Sequence, residues 1–168
     1  ARMAGRHLGA QGHQAIARVS GLAHLAHTQT RDAAFQAQCQ EQGIAHNLLA
    51  GNYEVESGAA LTKQLLDEPQ LPTAIIFDND QMALGGLQAI SARGLEVGQD
   101  IAVLAWDDSS VTRLAEPPLS AMQLSVHHVG VLAGQALMSL LVDGELVSLE
   151  APAPKLIVRA STSRVFSV

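Results

Sequence analysis

The sequence predicts an α/β fold in which a parallel sheet is flanked by helices. Short apolar segments alternate three times with longer segments of helical periodicity, and a fourth apolar segment follows. Glycine and proline separate many of these segments, as is usual at turns. Strands that are joined through helices pair in parallel, and right-handed crossovers place the helices on both faces of the sheet.

The first two thirds of the chain contain eight predicted elements. In chain order they are a helix (1–12), a strand (15–21), a helix (31–43), a strand (45–51), a helix (54–68), a strand (73–77), a helix (80–94) and a strand (101–106). Thr30 is predicted to cap the second helix, and Gly43 is predicted to end it.

Apolar stripes support the third and fourth of these helices. The stripe of the third helix comprises Ala60, Leu61, Leu65 and Leu66. That of the fourth comprises Ala83, Leu87 and Ile90, and Gly94 closes the helix. Pro69 and Pro72 separate the two units, so a new strand is expected to begin after them.

The pattern changes after the fourth strand. We expect an irregular segment (109–118), a short strand (119–123), a helix (126–145), a Pro/Ala-rich linker (151–154) and a last strand (155–161). The apolar stripe of the helix is wider than a one-sided cover of a sheet requires. This helix is therefore predicted to pack against something large.

Composition and charge narrow the possible classes of protein. The chain has 168 residues, of which 48% are hydrophobic and 15% charged, so it can build one sizeable core. Its net charge of -6 includes no basic block, and we expect no direct contact of this chain with a nucleic-acid backbone or an anionic membrane. Cys39 is the only cysteine, which excludes an intrachain disulfide.

Two further features concern the cellular setting. No apolar run approaches the roughly 20 residues of a membrane-spanning helix, and no signal-peptide pattern opens the chain. These features predict a cytoplasmic protein. The chain opens inside a helical pattern, so we expect a fragment whose preceding part carries some of the function.

Polar residues follow the third and fourth strands directly. Asp78, Asn79 and Asp80 follow one strand, and Asp107 and Asp108 follow the next. Because ligands bind outside the carboxyl ends of parallel strands, these side chains are expected to converge on one edge. Helix capping is the simplest alternative for the first group, and Asp80 is its best candidate.

Three functions compete for this acidic edge. A magnesium site with an aspartyl nucleophile would use clustered acids, but the first strand supplies no carboxylate and no phosphate-binding loop follows it. A hydrolase of the common type would need a G-x-S-x-G motif, which the sequence lacks. The histidines show no metal-ligand spacing. Non-catalytic binding of a polyhydroxylated ligand requires carboxylates, amides, an arginine and an aromatic ring. Asn79, Asp107, Arg31 and Tyr53 supply that set, without a metal or a cofactor.

The segment from 72 to 120, "PTAIIFDNDQMALGGLQAISARGLEVGQDIAVLAWDDSSVTRLAEPPLS", resembles the effector-binding core of the LacI/GalR family of bacterial transcription regulators. Its motifs are N-D-x-x-A-x-G, an aromatic residue before two aspartates, and P-P-L-S. "GHQAIARVSG" with Arg31 and Phe35 resembles the upstream family signature, and "KLIVRAST" resembles the closing strand. The resemblance covers nearly the whole chain.

The resemblance implies a periplasmic-binding-protein-like fold, of which this chain holds mainly the C-terminal subdomain. That subdomain would span 1–123. A crossover helix and segment toward the N-terminal subdomain would follow at 124–154, and a closing strand and tail at 155–168. Arg31, Asn79 and Asp107 match family positions that bind the effector, and Tyr53 matches one where an aromatic ring packs on it. Compared with the family plan, this chain is expected to lack the DNA-binding headpiece and most of the first subdomain, and the resemblance implies a homodimer.

The sequence also departs from the family pattern at three positions: Ala105, where Gly is usual; Trp106, where Phe or Tyr is usual; and Leu124, where a polar residue is common. The ligand is therefore expected to differ from simple hexosides. A sugar or sugar derivative is favoured over a purine, because the segment from 22 to 30 lacks the extra Arg of purine-responsive members. A periplasmic sugar-binding protein of a transport system is the main alternative to a regulator.

Overall fold

A six-stranded sheet with helices on both faces forms the structure, a computed structural model that describes residues 1–163. Its strands are β1 (Ala15–Ser20), β2 (Ala45–Ala50), β3 (Ala74–Phe77), β4 (Ala102–Trp106), β5 (Ser120–Gln123) and β6 (Lys155–Ile157). The spatial order is β2-β1-β3-β4-β5-β6. The first five strands pair in parallel and β6 pairs antiparallel to β5. The predicted α/β class is confirmed, with one antiparallel strand at the edge.

Six α-helices connect these strands. They are α1 (Arg2–Ala10), α2 (Ala26–Gln42), α3 (Val55–Leu66), α4 (Asp80–Ala92), α5 (Ser110–Leu114) and α6 (Val126–Val142), and a 3-10 turn (Ala160–Thr162) follows β6. The predicted closing strand and tail extend to residue 168, so residues 164–168 of that prediction lie outside the described chain.

The core lies in two layers, one on each face of the sheet. Residues of α1 and α2 pack on one face around Phe35 and Trp106. On the other face, α3 and α4 pack around Phe77 and Met82. Because parallel strands are covered on both faces, β3 and β4 are buried throughout.

Two glycines bring α3 and α4 together. A Cβ added at Gly85 would lie 1.9 Å from the carbonyl oxygen of Val55, and one at Gly58 would lie 2.1 Å from that of Met82. Any side chain at either position would force the helices apart. This close contact holds α4 against α3, and the candidate site residue Asn79 directly precedes α4.

The structure corrects three predictions about the elements. The second helix begins at Ala26 rather than after Thr30, whose hydroxyl instead donates to the carbonyl oxygen of Ala26 inside the helix (2.8 Å). Ala60 is exposed, and the buried side of α3 includes Thr62 instead. The segment after β4 contains α5, which Ser109 caps by accepting from the amide of Val111 (3.0 Å).

Helix α6 is apolar but has no buried residue in the described chain. Several of its large side chains are exposed, among them Val126, Leu137, Met138, Leu141 and Val142. Nothing within residues 1–163 covers this surface. No helix in that range has the length and apolarity needed to cross a membrane.

Candidate functional site

A buried carboxylate lies at the carboxyl end of β3. Asp78 follows β3 directly, and its side chain is fully buried. Its Oδ1 accepts hydrogen bonds from Arg18 Nη2 and from Arg31 Nη1, both at 2.9 Å, while its Oδ2 accepts from the amide of Gly21 (3.1 Å). Both oxygens of Asp78 therefore already accept hydrogen bonds from the protein. This counts against the magnesium site, one of the three functions that compete for this edge.

Arg18 was missed by sequence reasoning. It lies inside β1 among apolar neighbours, and its side chain is fully buried. Besides its bond to Asp78, it donates from Nε to Asp32 Oδ1 (2.8 Å), whereas its Nη1 has no hydrogen-bond partner within residues 1–163. A charged residue within a predicted buried strand was the available signal, because arginine is almost never fully buried unless it is paired.

Arg31 lies on α2 and covers an aromatic ring. Its guanidinium carbon lies 4.2 Å from the centroid of the Trp106 ring, at the end of β4. A cation above an indole face is held by the ring quadrupole as well as by any ion pair. Its hydrogen bond to Asp78 uses only Nη1, and a quarter of the side chain is exposed. The rest of the guanidinium therefore has donors available to a ligand.

Asp107 follows Trp106 and is exposed, with a left-handed backbone (φ 73°). Loss of hydration raises the pKa of its carboxyl group, Arg31 opposes that rise, and the negative charges of Asp80 and Asp78 add to it. The charges of Arg31 and Asp107 therefore interact, so the two side chains lie near the same edge of the sheet. Within the described residues the Asp107 side chain accepts no hydrogen bond that would occupy it.

The Asp108 carboxylate, in contrast, is occupied by hydrogen bonds within the protein. Its Oδ1 accepts from Arg159 Nη2 (2.8 Å), and its Oδ2 accepts from Gln123 Nε2 (3.1 Å). The carboxylate therefore links the end of β4 to β5 and to the segment after β6. Only the first of the two adjacent aspartates is open to a ligand.

Asn79 caps α4, and this corrects the preference for Asp80. The Asn79 Oδ1 accepts from the amide of Met82 (2.9 Å), and its Nδ2 donates to the carbonyl oxygen of Tyr53 (2.8 Å). Asp80 lies inside the first turn and accepts from the hydroxyl of Ser109 (2.5 Å). One lone pair and one N–H of the Asn79 amide remain, because each of these groups can form a second hydrogen bond.

Tyr53 is held in place by the start of α2. Its hydroxyl contacts His27 Nε2 (2.9 Å) and Thr28 Oγ1 (3.1 Å), and its backbone is left-handed (φ 73°). A Cβ added at Gly21 would lie 2.0 Å from the Tyr53 ring, so the ring requires glycine at that position. His27 is thus a second side chain near the site that the sequence did not single out.

The four predicted site residues form two pairs. Arg31, which covers the Trp106 ring, is coupled by charge to Asp107. Asn79 and Tyr53 are joined by a hydrogen bond. The edge presents a carboxylate, guanidinium donors and an amide, a set suited to hydroxyl groups. In the part of the chain that the structure describes, no group of three or more His, Cys, Asp or Glu is arranged to hold a metal ion.

Comparisons with known proteins give a consistent family. The chain matches the model of the periplasmic binding protein-like domain over residues 6–162. It is 35% identical over 137 residues to the probable HTH-type transcriptional repressor ExuR of Bacillus subtilis, a match that covers 80% of this chain and 41% of the repressor.

Solved structures agree with the same family. A LacI family transcriptional regulator from Bifidobacterium animalis superposes with a TM-score of 0.91 and 40% identity, over 98% of this chain and 62% of that chain. A dimeric Lac repressor with an 11-residue C-terminal deletion gives a TM-score of 0.90 and 32% identity, over 97% and 60%. The chain thus spans 41% of the curated repressor and about three fifths of each solved chain.

Proposed function

The chain belongs to the periplasmic binding protein-like domain family of LacI-type transcription regulators, and from this premise we propose that it is the effector-binding domain of a bacterial LacI/GalR-type regulator. The observation that carries the proposal is that Arg31 covers the Trp106 ring and interacts by charge with Asp107, the residue after Trp106, while both side chains keep hydrogen-bonding capacity. The effector would shift the DNA affinity of the full-length protein.

The relatives support a regulator over the alternative, a periplasmic sugar-binding protein for transport, because they are named as transcription regulators. They also support a non-enzymatic role. In this proposal the protein acts in the cytoplasm, and it contacts DNA only through a headpiece that precedes this chain. The net charge of -6 agrees with the proposal that this chain does not itself contact DNA.

The proposed effector is a sugar or sugar derivative held by Arg31, Asn79, Asp107 and Tyr53. Asp107 would accept hydrogen bonds from hydroxyl groups, and the free edge of the Arg31 guanidinium would donate to hydroxyl or ring oxygens. Asn79 would contribute the remaining half of its amide. Tyr53 would present its ring to an apolar face of the ligand.

The proposed mechanism is a population shift between two arrangements of the subdomains. A ligand moves such an equilibrium only by its difference in affinity for the two states. Each tenfold change in DNA affinity requires about 1.4 kcal/mol of that difference. The exposed apolar helix α6 would lie at the boundary with the preceding subdomain, since it extends from the sheet without cover in the described chain.

A twofold-symmetric homodimer completes the proposal. The segment from 111 to 119 carries exposed apolar surface, including Leu114, which is 85% exposed. Together with the outer face of α4, this surface would bind a second copy of the chain. The solved relative that is named a dimeric Lac repressor supports this assembly.

The test is calorimetric titration of the full-length protein with D-galactose, D-glucose, D-galacturonate and D-glucuronate. Hydrogen bonds to charged groups contribute about 1.5–3 kcal/mol each, so Arg31→Ala or Asp107→Ala should weaken binding roughly tenfold to a hundredfold. Asp67→Ala is the control, because Asp67 is an exposed ion-pair residue after α3. Unchanged affinity of Asp107→Ala for a sugar that the wild type binds would refute the site assignment.

A further inference from the structure

We propose that Arg18 is a positioning residue that keeps Arg31 stacked on Trp106 with its free edge directed to the ligand. The part of this proposal that concerns effector binding rests on the proposed function. The part that concerns the position of Arg31 rests only on the contacts of Arg18.

Arg18 holds both groups that determine the position of Arg31. Its Nη2 donates to Asp78, the carboxylate that also anchors Arg31, at 2.9 Å. Its Nε donates at 2.8 Å to Asp32, the next residue after Arg31 on α2. The anchor of Arg31 and its helix backbone are therefore fixed from the same buried side chain.

The sharing of one oxygen decides how Arg31 binds. Both arginines donate to Asp78 Oδ1, and Oδ2 is engaged by the amide of Gly21. Arg31 makes only one hydrogen bond to the carboxylate, although an arginine and a carboxylate prefer two parallel bonds. In this proposal, Arg18 and the Gly21 amide, which already donate to the two oxygens, disfavour retraction of Arg31 into the bidentate geometry.

Removal of Arg18 should therefore move Arg31. The space under α2 would open, Asp78 and Asp32 would lose their shared cation, and Arg31 is the nearest charge able to replace it. Retraction would take the guanidinium off Trp106 and turn its free donors inward. An arginine that only stabilised the fold would leave the contact between Arg31 and Trp106 unchanged in a folded variant.

Trp106 provides a direct readout of this contact. We would label the full-length protein with 5-fluorotryptophan and identify the Trp106 resonance in 19F NMR by its loss in Trp106→Phe. Arg31→Met gives the reference shift of an uncovered ring. Arg18→Met should move the resonance in the same direction by at least half as much.

The matched control is Arg93→Met. Arg93 also pairs with an aspartate, Asp67, but it follows the C-terminal end of α4, whereas the site lies at the helix start. A helix of 13 residues separates these two ends by about 20 Å. The Trp106 resonance should stay at its wild-type position in this variant.

A folded Arg18→Met protein with the wild-type Trp106 resonance would overturn the proposal. If that variant does not fold, Asp32→Asn serves instead, because the Asp32 side chain is 16% exposed and the buried Arg18 keeps its ion pair with Asp78. It loosens Arg18 and should shift the resonance by a smaller amount in the same direction. A wild-type resonance in folded Asp32→Asn would equally overturn the proposal.

Titration of the same samples with the four sugars separates the two proposals. Arg18→Met should weaken the binding of any sugar that the wild type binds by about tenfold, which is the scale of one hydrogen bond. If the resonance moves and none of the four sugars binds the wild type, these four sugars are excluded as effectors while the positioning of Arg31 is supported. If sugars bind and the resonance does not move, the positioning role is refuted while the sugar site stands.

Discussion

Replacement of Asp78 by alanine should be the most destabilising change at the edge of the sheet. The substitution removes the acceptor of two arginines and of the Gly21 amide. Removal of one partner from a buried ion pair costs about 3–5 kcal/mol, because the remaining charge stays buried. Arg18 keeps Asp32 and Arg31 is partly exposed, so we expect the lower part of that range, about 3–4 kcal/mol.

Chemical denaturation followed by circular dichroism gives the free energy of unfolding, and thermal melts give an independent value. For a domain of this size about 1 kcal/mol corresponds to 2–4 °C, so Asp78→Ala should lower the melting temperature by about 6–16 °C. Asp78→Asn keeps Oδ1 but places an amide against the Gly21 amide, and about half that loss is expected. Asp67→Ala is the control and should cost less than about 1 kcal/mol, since its ion pair is exposed. A loss below 1 kcal/mol in Asp78→Ala would refute the view of this carboxylate as a buried anchor.

Three further outcomes are expected. Asn79→Ala should cost about 2 kcal/mol in chemical denaturation and Asp80→Ala about 1 kcal/mol, because only Asn79 caps the helix; equal losses would contradict this. The pKa of Asp107 is raised in the fold, so this carboxyl group should contribute a loss of stability as pH rises from the ordinary value of 3.8 through the raised one. Asp107→Asn should remove that contribution, so its melting temperature should rise relative to the wild type across this pH range; an unchanged difference would count against it. Burial raises the pKa of Cys39 to about 11, so a disulfide reagent at neutral pH should label the thiol only after unfolding; rapid labelling of the native protein would disprove its protection.

The fold was predictable because its signals are local and repeated. The apolar segments that became β1 to β4 are bounded by glycine, proline or polar residues, and the helices between them carry apolar stripes. The start of α2 was wrong because a threonine can also donate to the carbonyl four residues earlier inside a helix. Nothing in the spacing distinguishes that use from an N-cap.

The sequence predicted which polar residues lie at this edge of the sheet, but not the partner that each one has there. The position after a strand end identified Asp78, Asn79 and Asp107 without showing which would be buried. That distinction depends on Arg18, which lies 60 residues from Asp78 in sequence and meets it only through the pairing of β1 with β3. A long-range partner of this kind leaves no periodic signal in one sequence.

The three polar residues after β3 thus have three separate tasks. Asp78 anchors two arginines beneath the surface, Asn79 caps α4, and Asp80 ties α4 to the loop after β4 through Ser109. Each is satisfied mainly by the protein itself, and a satisfied group has less to offer a ligand.

The groups with hydrogen-bonding capacity to spare are Asp107, which follows β4, and the outer edge of Arg31, which covers Trp106 at the end of that strand. Discrimination between ligands should therefore depend more on Asp107 and Arg31 than on the residues after β3. A polar group that a bound ligand covers and leaves unpaired is costly, so the alignment of these two side chains matters for selectivity as well as for affinity. In the proposed site, Asp78 then acts as a support that holds Arg31 in place.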